Sequence, residues 1–413
     1  MHVLLIHQAF AAVDEPGGTR HHETARYLVE RGHKVTVITG HRSYMTDASS
    51  GTGVDAKSGE DAYGVEIIRC RTYESWHRSF FRRLLSFLSF MLASTWAGLW
   101  VEDVDVVWGT SPPIFQAVSA WLVARLRRAA FLLEIRDLWP EFAVATGVLK
   151  QPILISMSEW LEGFIYRHAD TLVVNSPGYV ESVGKRAGTT PLVIANGVDP
   201  GMFSPDSDGT SFREAHGLGK GFVVLYAGAH GLSNDLPVVL SAAATLRDHV
   251  EIRFVLVGDG KDKPRLMAQA QQLGLDNVTF VPSVPKNEMR EALAAADACL
   301  AILKPIEAYK TTYPNKVFDY MAAGRPVLLA IDGVIRNLVE GAGAGVFVPP
   351  GDPAALADAI LRLQGVPEQA ADMGREGRRL VERDFKRAEL AAAMESALKA
   401  ALGRPNTDGG GSS

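Results

Sequence analysis

Strand-length apolar runs alternate with helical patterns along almost the whole chain, and that alternation is its strongest folding constraint. A chain that inserts a helix between successive strands returns each strand to its sheet in parallel, with helices covering both faces. In the first half the pattern predicts strands at His2–His7, Lys34–Thr39, Val65–Cys70, Val104–Trp108, Phe131–Ile135, Thr171–Val174 and Leu192–Ile194. Thr19–Arg31 is the first clear helix, with Ala25, Leu28 and Val29 on one face and Gly32 as its stop. The polar, Gly-rich stretch Asp47–Tyr63 reads as a mobile loop.

A second series starts near Phe222. Its strands are Phe222–Tyr226, Ile252–Val257, Val278–Phe280, Ala298–Ile302, Val327–Ala330 and Val346–Val348. Helices fall between them at Leu236–Arg247, Pro264–Leu273, Lys286–Ala295 and Pro314–Ala323, and three more are expected between Pro353 and Leu402. The segment Ala195–Thr210, dense in Gly, Pro, Asp and Ser, separates the two series. The expected domains are therefore 1–195 and 196–385, then a C-terminal helix at 386–403 free to return to the first domain, and a flexible tail at 404–413. Two doubly wound domains with a hinge make a cleft, and ligands of such sheets bind beyond the carboxyl ends of the strands.

Composition removes several classes. A length of 413 residues suits two or three domains, and 47% hydrophobic with 22% charged residues excludes a largely disordered chain. A formal charge of -5 excludes a broadly basic nucleic-acid binder. Cys70 and Cys299 stand far apart without zinc-ligand spacing, which argues against a disulfide framework and fits a reducing cytoplasm. The opening MHVLLIHQAF lacks a basic region and a cleavage site, so it reads as a strand rather than a signal peptide.

Five ordered blocks carry a more specific signal: Pro16–Thr39, Asn196–Pro205, Val255–Leu266, Val278–Leu303 and Pro314–Ala330. Together they resemble the family-four retaining glycosyltransferases of the GT-B fold, over Met1 to about Leu402. DLWPE (Asp137–Glu141), AGAHG (Ala227–Gly231) and PNK (Pro314–Lys316) resemble the branch that builds bacterial surface polysaccharide and O-antigen. The resemblance implies an α/β chain of two Rossmann-like domains facing each other across a cleft. It implies transfer of a sugar from a nucleotide-diphosphate donor to a lipid-linked or polysaccharide acceptor, without a bound metal or other cofactor.

On the donor side, Gly228 and Gly231 follow a strand and precede a helix, where backbone N–H groups can meet phosphate. Relatives place an Arg just after the first of these glycines and a Lys five residues on. Here those positions are Ala229 and Asn234. Lys316, at a helix start, is the first candidate to replace the missing charge, ahead of Lys304 and Lys310. The family's ribose-binding Glu corresponds to Asp319, and the other member of its acidic pair falls at Thr311. Glu307, or backbone N–H groups at 310–312, could hold the sugar instead, so Thr311, Thr312 and Asn315 join the donor set. Gly258 and Gly260, with Pro282 and Ser283, would edge the base; a tight turn is the plainer reading of the glycines. His230 could touch sugar or phosphate, or simply pack.

On the acceptor side, Gly17, Gly18, Thr19, Arg20 and His21 are expected to line a rim. Asp137 and Glu141 follow the fifth strand, where a carboxylate could take the acceptor's proton; Asp137 as a helix cap is nearly equal. Arg78, Arg82 and Arg83 precede the uncharged run Leu84–Val101, read first as a core helix, next as an interfacial one, and last as a span. A basic end there would suit a peripheral position on the inner membrane face. An epimerase of the same fold and a non-catalytic nucleotide-sugar binder are the rival readings.

Overall fold

The computed structural model describes residues 1–11, 18–40, 59–73, 80–286 and 288–403, with backbone alone over residues 80–83. Gly17, Arg78, most of the Asp47–Tyr63 loop and the 404–413 tail lie outside the described residues. The chain forms two compact units, 1–195 with 388–413, and 196–387.

The first unit carries β1 (His2–Ile6), β2 (Lys34–Gly40), β3 (Gly59–Glu60), β4 (Glu66–Cys70), β5 (Val106–Ser111), β6 (Ala130–Ile135), β7 (Thr171–Val174) and β8 (Leu192–Val193). Their order is β3-β4-β2-β1-β5-β6-β7-β8, parallel throughout except for β3 against β4. That short β3 is a departure from the sequence reading, since it falls in the stretch read as loop. On one face, helices Phe80–Leu99, Ile114–Arg127 and Pro152–Arg167 cover a core that includes Phe90, Ala117 and Ile165. On the other face, helix Arg20–Glu30 shares a core with the C-terminal helix Arg387–Leu402. Met394, Ala397, Leu398 and Ala401 of that last helix pack with Val3, Leu5, Val35 and Val37. Glu395 anchors it: Lys399 (2.5 Å) and His33 (2.9 Å) hold its carboxyl down at about 2.

The second unit carries β9 (Phe222–Ala227), β10 (Ile252–Val257), β11 (Val278–Val281), β12 (Ala298–Ile302), β13 (Val327–Ala330) and β14 (Gly345–Phe347). All are parallel, in the order β11-β10-β9-β12-β13-β14. Strand order reverses between β9 and β12, and in such sheets the ligand crevice opens beyond the carboxyl ends at that reversal. The loops that matter are thus 228–235 after β9 and 303–314 after β12.

Candidate donor and acceptor sites

At the end of β9 the chain turns sharply through Gly228, at φ 149°. A Cβ there would lie 3.0 Å from Lys316 Nζ, so only glycine allows this approach. The lysine comes from helix Asn315–Ala322, which starts after Pro314 and buries Val317, Phe318, Tyr320 and Met321. Tyr320 fixes the register: its hydroxyl accepts from Ala227 N (2.9 Å) and donates to Ala227 O (3.2 Å). Lys316, one turn earlier on the same face, is thereby laid over the β9 turn.

Lys316 Nζ donates to Asn234 Oδ1 at 3.3 Å and stands 4.0 Å from the centre of the Tyr226 ring. Asn234 in turn donates to Ala229 O at 2.9 Å. Among the described residues no carboxylate pairs with Lys316, and burial lowers its ammonium to about 7. The β12 loop is tied to the β9 loop by Lys304 N to Ser233 O (3.0 Å) and Tyr309 Oη to Ser233 Oγ (2.6 Å). Asn315, exposed at the helix start, accepts from Asn196.

The loops after β9, β10 and β11 interlock. Gly258 sits at φ 146° with Gly228 O where a Cβ would be (1.9 Å), and Gly260 at φ 157° faces His230 O at 2.5 Å. Asp259 accepts from Ser283 N (2.8 Å) and Lys263 Nζ (2.9 Å). Lys263 also donates to Gly258 O at 2.8 Å. Sequence reading missed this clasp, because the spacing of Asp259 and Lys263 looks like an ordinary surface helix start.

Several expectations change here. His230 is fully buried, 6.0 Å from Tyr226 and 6.1 Å from Phe280 between ring centres, so it packs within the loop, and neither ring nitrogen has a hydrogen-bond partner among the described residues. Burial, then Lys263, lowers its imidazole to about 4. Asp319 is no free ribose acceptor: Lys286 Nζ holds its Oδ2 at 2.5 Å. Glu307 does not fold back; it is exposed and pairs with Lys310 at 2.8 Å. Thr311 Oγ1 donates to Ala308 O, and Thr312 N to Tyr309 O, so these groups close the 307–311 turn. Gly231 precedes the short turn Leu232–Asn234 in an extended conformation.

In the first unit, Gly18 is exposed, but Thr19, Arg20 and His21 are buried. Arg20 and His21 do not line a rim, because both turn inward to Glu134, a fully buried carboxylate on β6. Trp108 Nε1 also donates to Glu134 at 3.1 Å, and Arg20 to Ile194 O at 3.2 Å. Thr19 Oγ1 donates to Glu23 at 2.5 Å. Thr110 bonds His7 (2.9 Å) and Gln116 (2.7 Å). His7, just beyond β1, also has Arg136 Nη1 3.3 Å from its Nε2.

Asp137 does not cap a helix; Pro140 occupies that position before Glu141–Ala145. The Tyr179 hydroxyl donates to Asp137 Oδ1 at 3.4 Å, and burial lifts the carboxyl to about 6 against the pull of Arg136. Glu141 accepts from Ser182 Oγ at 3.5 Å and lies 3.9 Å from Arg186. Arg82 and Arg83 fall in the first turn of helix Phe80–Leu99. Among the described residues no helix is long and apolar enough to cross a membrane, so the span reading of Leu84–Val101 falls away.

Two Rossmann-like sheets, the second wholly parallel and the first parallel except at its short edge strand β3, have the architecture of the GT-B fold. Residues 17–197 match the model of a glycosyl transferase 4-like domain, and residues 221–366 that of glycosyl transferases group 1; the chain belongs to the glycosyltransferases that pair these two domains. It is 26% identical over 315 residues to WcaI of Escherichia coli K12, a glycosyl transferase named for colanic acid biosynthesis, covering 73% of this chain and 76% of that protein. The fold matches sucrose-phosphate synthase from Thermosynechococcus elongatus (TM-score 0.77, 20% identity, 96% and 98% of the two chains). It also matches Anabaena HepE in complex with UDP and glucose (TM-score 0.73, 16% identity, 97% and 100%).

Proposed function

We propose that this glycosyltransferase moves a sugar, with retention, from a nucleoside-diphosphate donor bound by the second unit to a lipid-linked or polysaccharide acceptor of the bacterial surface. The observation that carries the reading is Lys316, an ammonium without a carboxylate partner among the described residues, set against the Gly228 turn. A diphosphate supplies the charge this ammonium lacks, and the N-terminus of helix Asn315–Ala322 adds its dipole. As the glycosidic bond to the diphosphate breaks, negative charge grows on the leaving phosphate, and a fixed cation there stabilises the transition state more than the ground state. On this reading Lys316 supplies the charge that a metal supplies elsewhere. HepE's UDP supports a uridine nucleotide as the first donor to try, and WcaI's name supports a surface-glycan acceptor. Asp137, held near 6 beside Tyr179, is the group assigned to orient the acceptor hydroxyl and take its proton.

The test is nucleotide release from UDP-, GDP- and dTDP-sugars, with and without polyprenyl-phosphate-linked acceptor, followed by the anomeric configuration of the product. Release that requires acceptor, with the donor's configuration kept, supports the proposal. Conversion of the donor without acceptor, or binding without turnover, overturns it.

A further inference from the structure

We propose that the helical layer of the first unit is a docking surface for an anionic lipid bilayer, on which the chain lies without crossing. Helix Phe80–Leu99 is apolar on both faces. One face packs inward: Phe90 and Ser94 are buried, and at Gly98 a Cβ would lie 2.8 Å from Val123 of helix Ile114–Arg127. The opposite face leaves Leu92 67% and Trp96 66% exposed, with Trp100 at 71% just beyond its end. Trp96 and Trp100 touch edge to face, 5.8 Å between centres.

Helix Pro152–Arg167 repeats the pattern. Ile153 (75%), Met157 (61%) and Trp160 (65%) recur at intervals of four and three residues, which makes one outward stripe. Helix Ile114–Arg127 packs against both neighbours and exposes Leu126. Three of the seven tryptophans therefore face solvent on one layer of one unit. The large apolar side chains exposed in the second unit, such as Val250 and Met267, include no aromatic among its described residues. Isolated exposed apolar residues need no explanation, but contiguous ones rich in tryptophan mark an interaction surface.

Charge selects the occupant. Helix Ile114–Arg127 ends in Arg125 and Arg127, followed by Arg128, on either side of the exposed Leu126. At the far end of Pro152–Arg167, an open pocket of about 480 Å³ is lined by Arg167, Lys185 and Arg186 together with Glu159, Trp160 and Gly163. Glu162 sits buried behind it, bound by Arg186 and Tyr166. The pocket beside Trp160 is of mixed charge, since Lys185 pairs with Glu181 and Arg186 with Glu162; the apolar stripes with tryptophans and the arginines at the helix ends match the layered chemistry of a headgroup region over acyl chains. Embedding Trp96, Trp100 and Trp160 would bring Arg167, and Arg125 and Arg128 at the end of the neighbouring helix, toward lipid phosphates. This deepens the lipid-linked acceptor reading, yet its test uses neither donor nor acceptor, so the two can fail separately.

The experiment is sedimentation of the full chain with phosphatidylcholine vesicles, with and without phosphatidylglycerol, together with tryptophan emission and its quenching by brominated lipid. Expected are binding that needs phosphatidylglycerol, a blue shift, quenching, and a fall in partitioning of roughly tenfold or more in Trp96→Ser/Trp160→Ser. Quenching of the unaltered protein keeps the test decisive if that variant does not fold. No sedimentation, no quenching, or a folded double variant that binds as well as the parent overturns the proposal. So does light scattering that shows a dimer dissolved by the same substitutions, because a second copy would then own the surface.

Discussion

The ammonium of Lys316 and the side-chain oxygen of Asn234 lie 3.3 Å apart, although 82 residues separate them in the chain. Asn234 stands where relatives are expected to carry a lysine, so a cation from another helix reaches the place of the missing one. Replacing it with methionine removes one charge-assisted bond to phosphate, worth about 1.5–3 kcal/mol. Donor affinity should therefore fall about 10- to 100-fold, measured by calorimetry with the nucleotide diphosphate. Unchanged affinity would remove Lys316 from the donor site.

The same lysine sets a pH dependence. Free, its ammonium titrates at about 7 because burial disfavours the charge. A bound diphosphate favours the charge and raises that value, so binding takes up a proton above pH 7. Affinity is fully present below about 7 and is lost as pH rises from there to the bound-state value. Calorimetry in two buffers of different ionisation enthalpy at pH 8 should register this uptake, and Lys316→Met should abolish it.

The glycines of the interlocked loops are expected to be intolerant. At Gly258 a Cβ would stand 1.9 Å from Gly228 O at a positive φ, and at Gly260 2.5 Å from His230 O. Neither obstacle is a flexible side chain, so backbone must move. Gly258→Ala should destabilise the protein by on the order of 3 kcal/mol, read by urea denaturation, and weaken donor binding because the Gly228 turn shifts with it. Gly231→Ala is the control: its nearest neighbour is a side-chain nitrogen 3.9 Å away.

The sheets were legible in the sequence because a strand buried on both faces must be apolar along its length; Ile252–Val257, Ala298–Ile302 and Val327–Ala330 fold over the residues their composition predicts. The position of Lys316 was legible for another reason: it opens a predicted helix, in a chain that carries Ala229 and Asn234 where relatives are expected to carry cations. His230 and Arg20 were misleading. A histidine in a glycine loop looks accessible, yet here its ring packs between Tyr226 and Phe280, and Gly260 closes on its backbone. Arg20 looks like a rim residue beside Gly18 until β6 brings Glu134 under it, 114 positions away. The stripe of Ile153, Met157 and Trp160 has helical spacing, but spacing alone does not say which side of a helix meets the sheet.

Arg20 and Glu134 offer a way to separate structure from binding. Both are buried, and removing the guanidinium leaves Glu134 without its arginine, held by Trp108 and His21. Arg20→Met should cost about 3–5 kcal/mol of stability, seen as a lowered denaturation midpoint. An acceptor-binding arginine would instead raise KM and leave the midpoint in place.

Asp137 makes the final prediction. Its carboxyl titrates near 6, since burial outweighs Arg136 and the Tyr179 hydroxyl. Only the ionised form can accept a proton from the acceptor hydroxyl, so turnover should rise with pH through about 6 and then level off. The Lys316 limb lies higher, at the bound-state value, and acts in the opposite sense. The profile of kcat against pH should therefore be a bell whose acid side belongs to Asp137. Asp137→Asn, close in shape but unable to take the proton, should lower kcat by about 10²- to 10⁴-fold. It should also flatten the acid limb while donor affinity stays at the parent level. A variant that keeps the limb near pH 6 would move the proton-accepting role to another group. A variant that loses donor affinity instead would mean that Asp137 supports the fold of the first unit and not the chemistry.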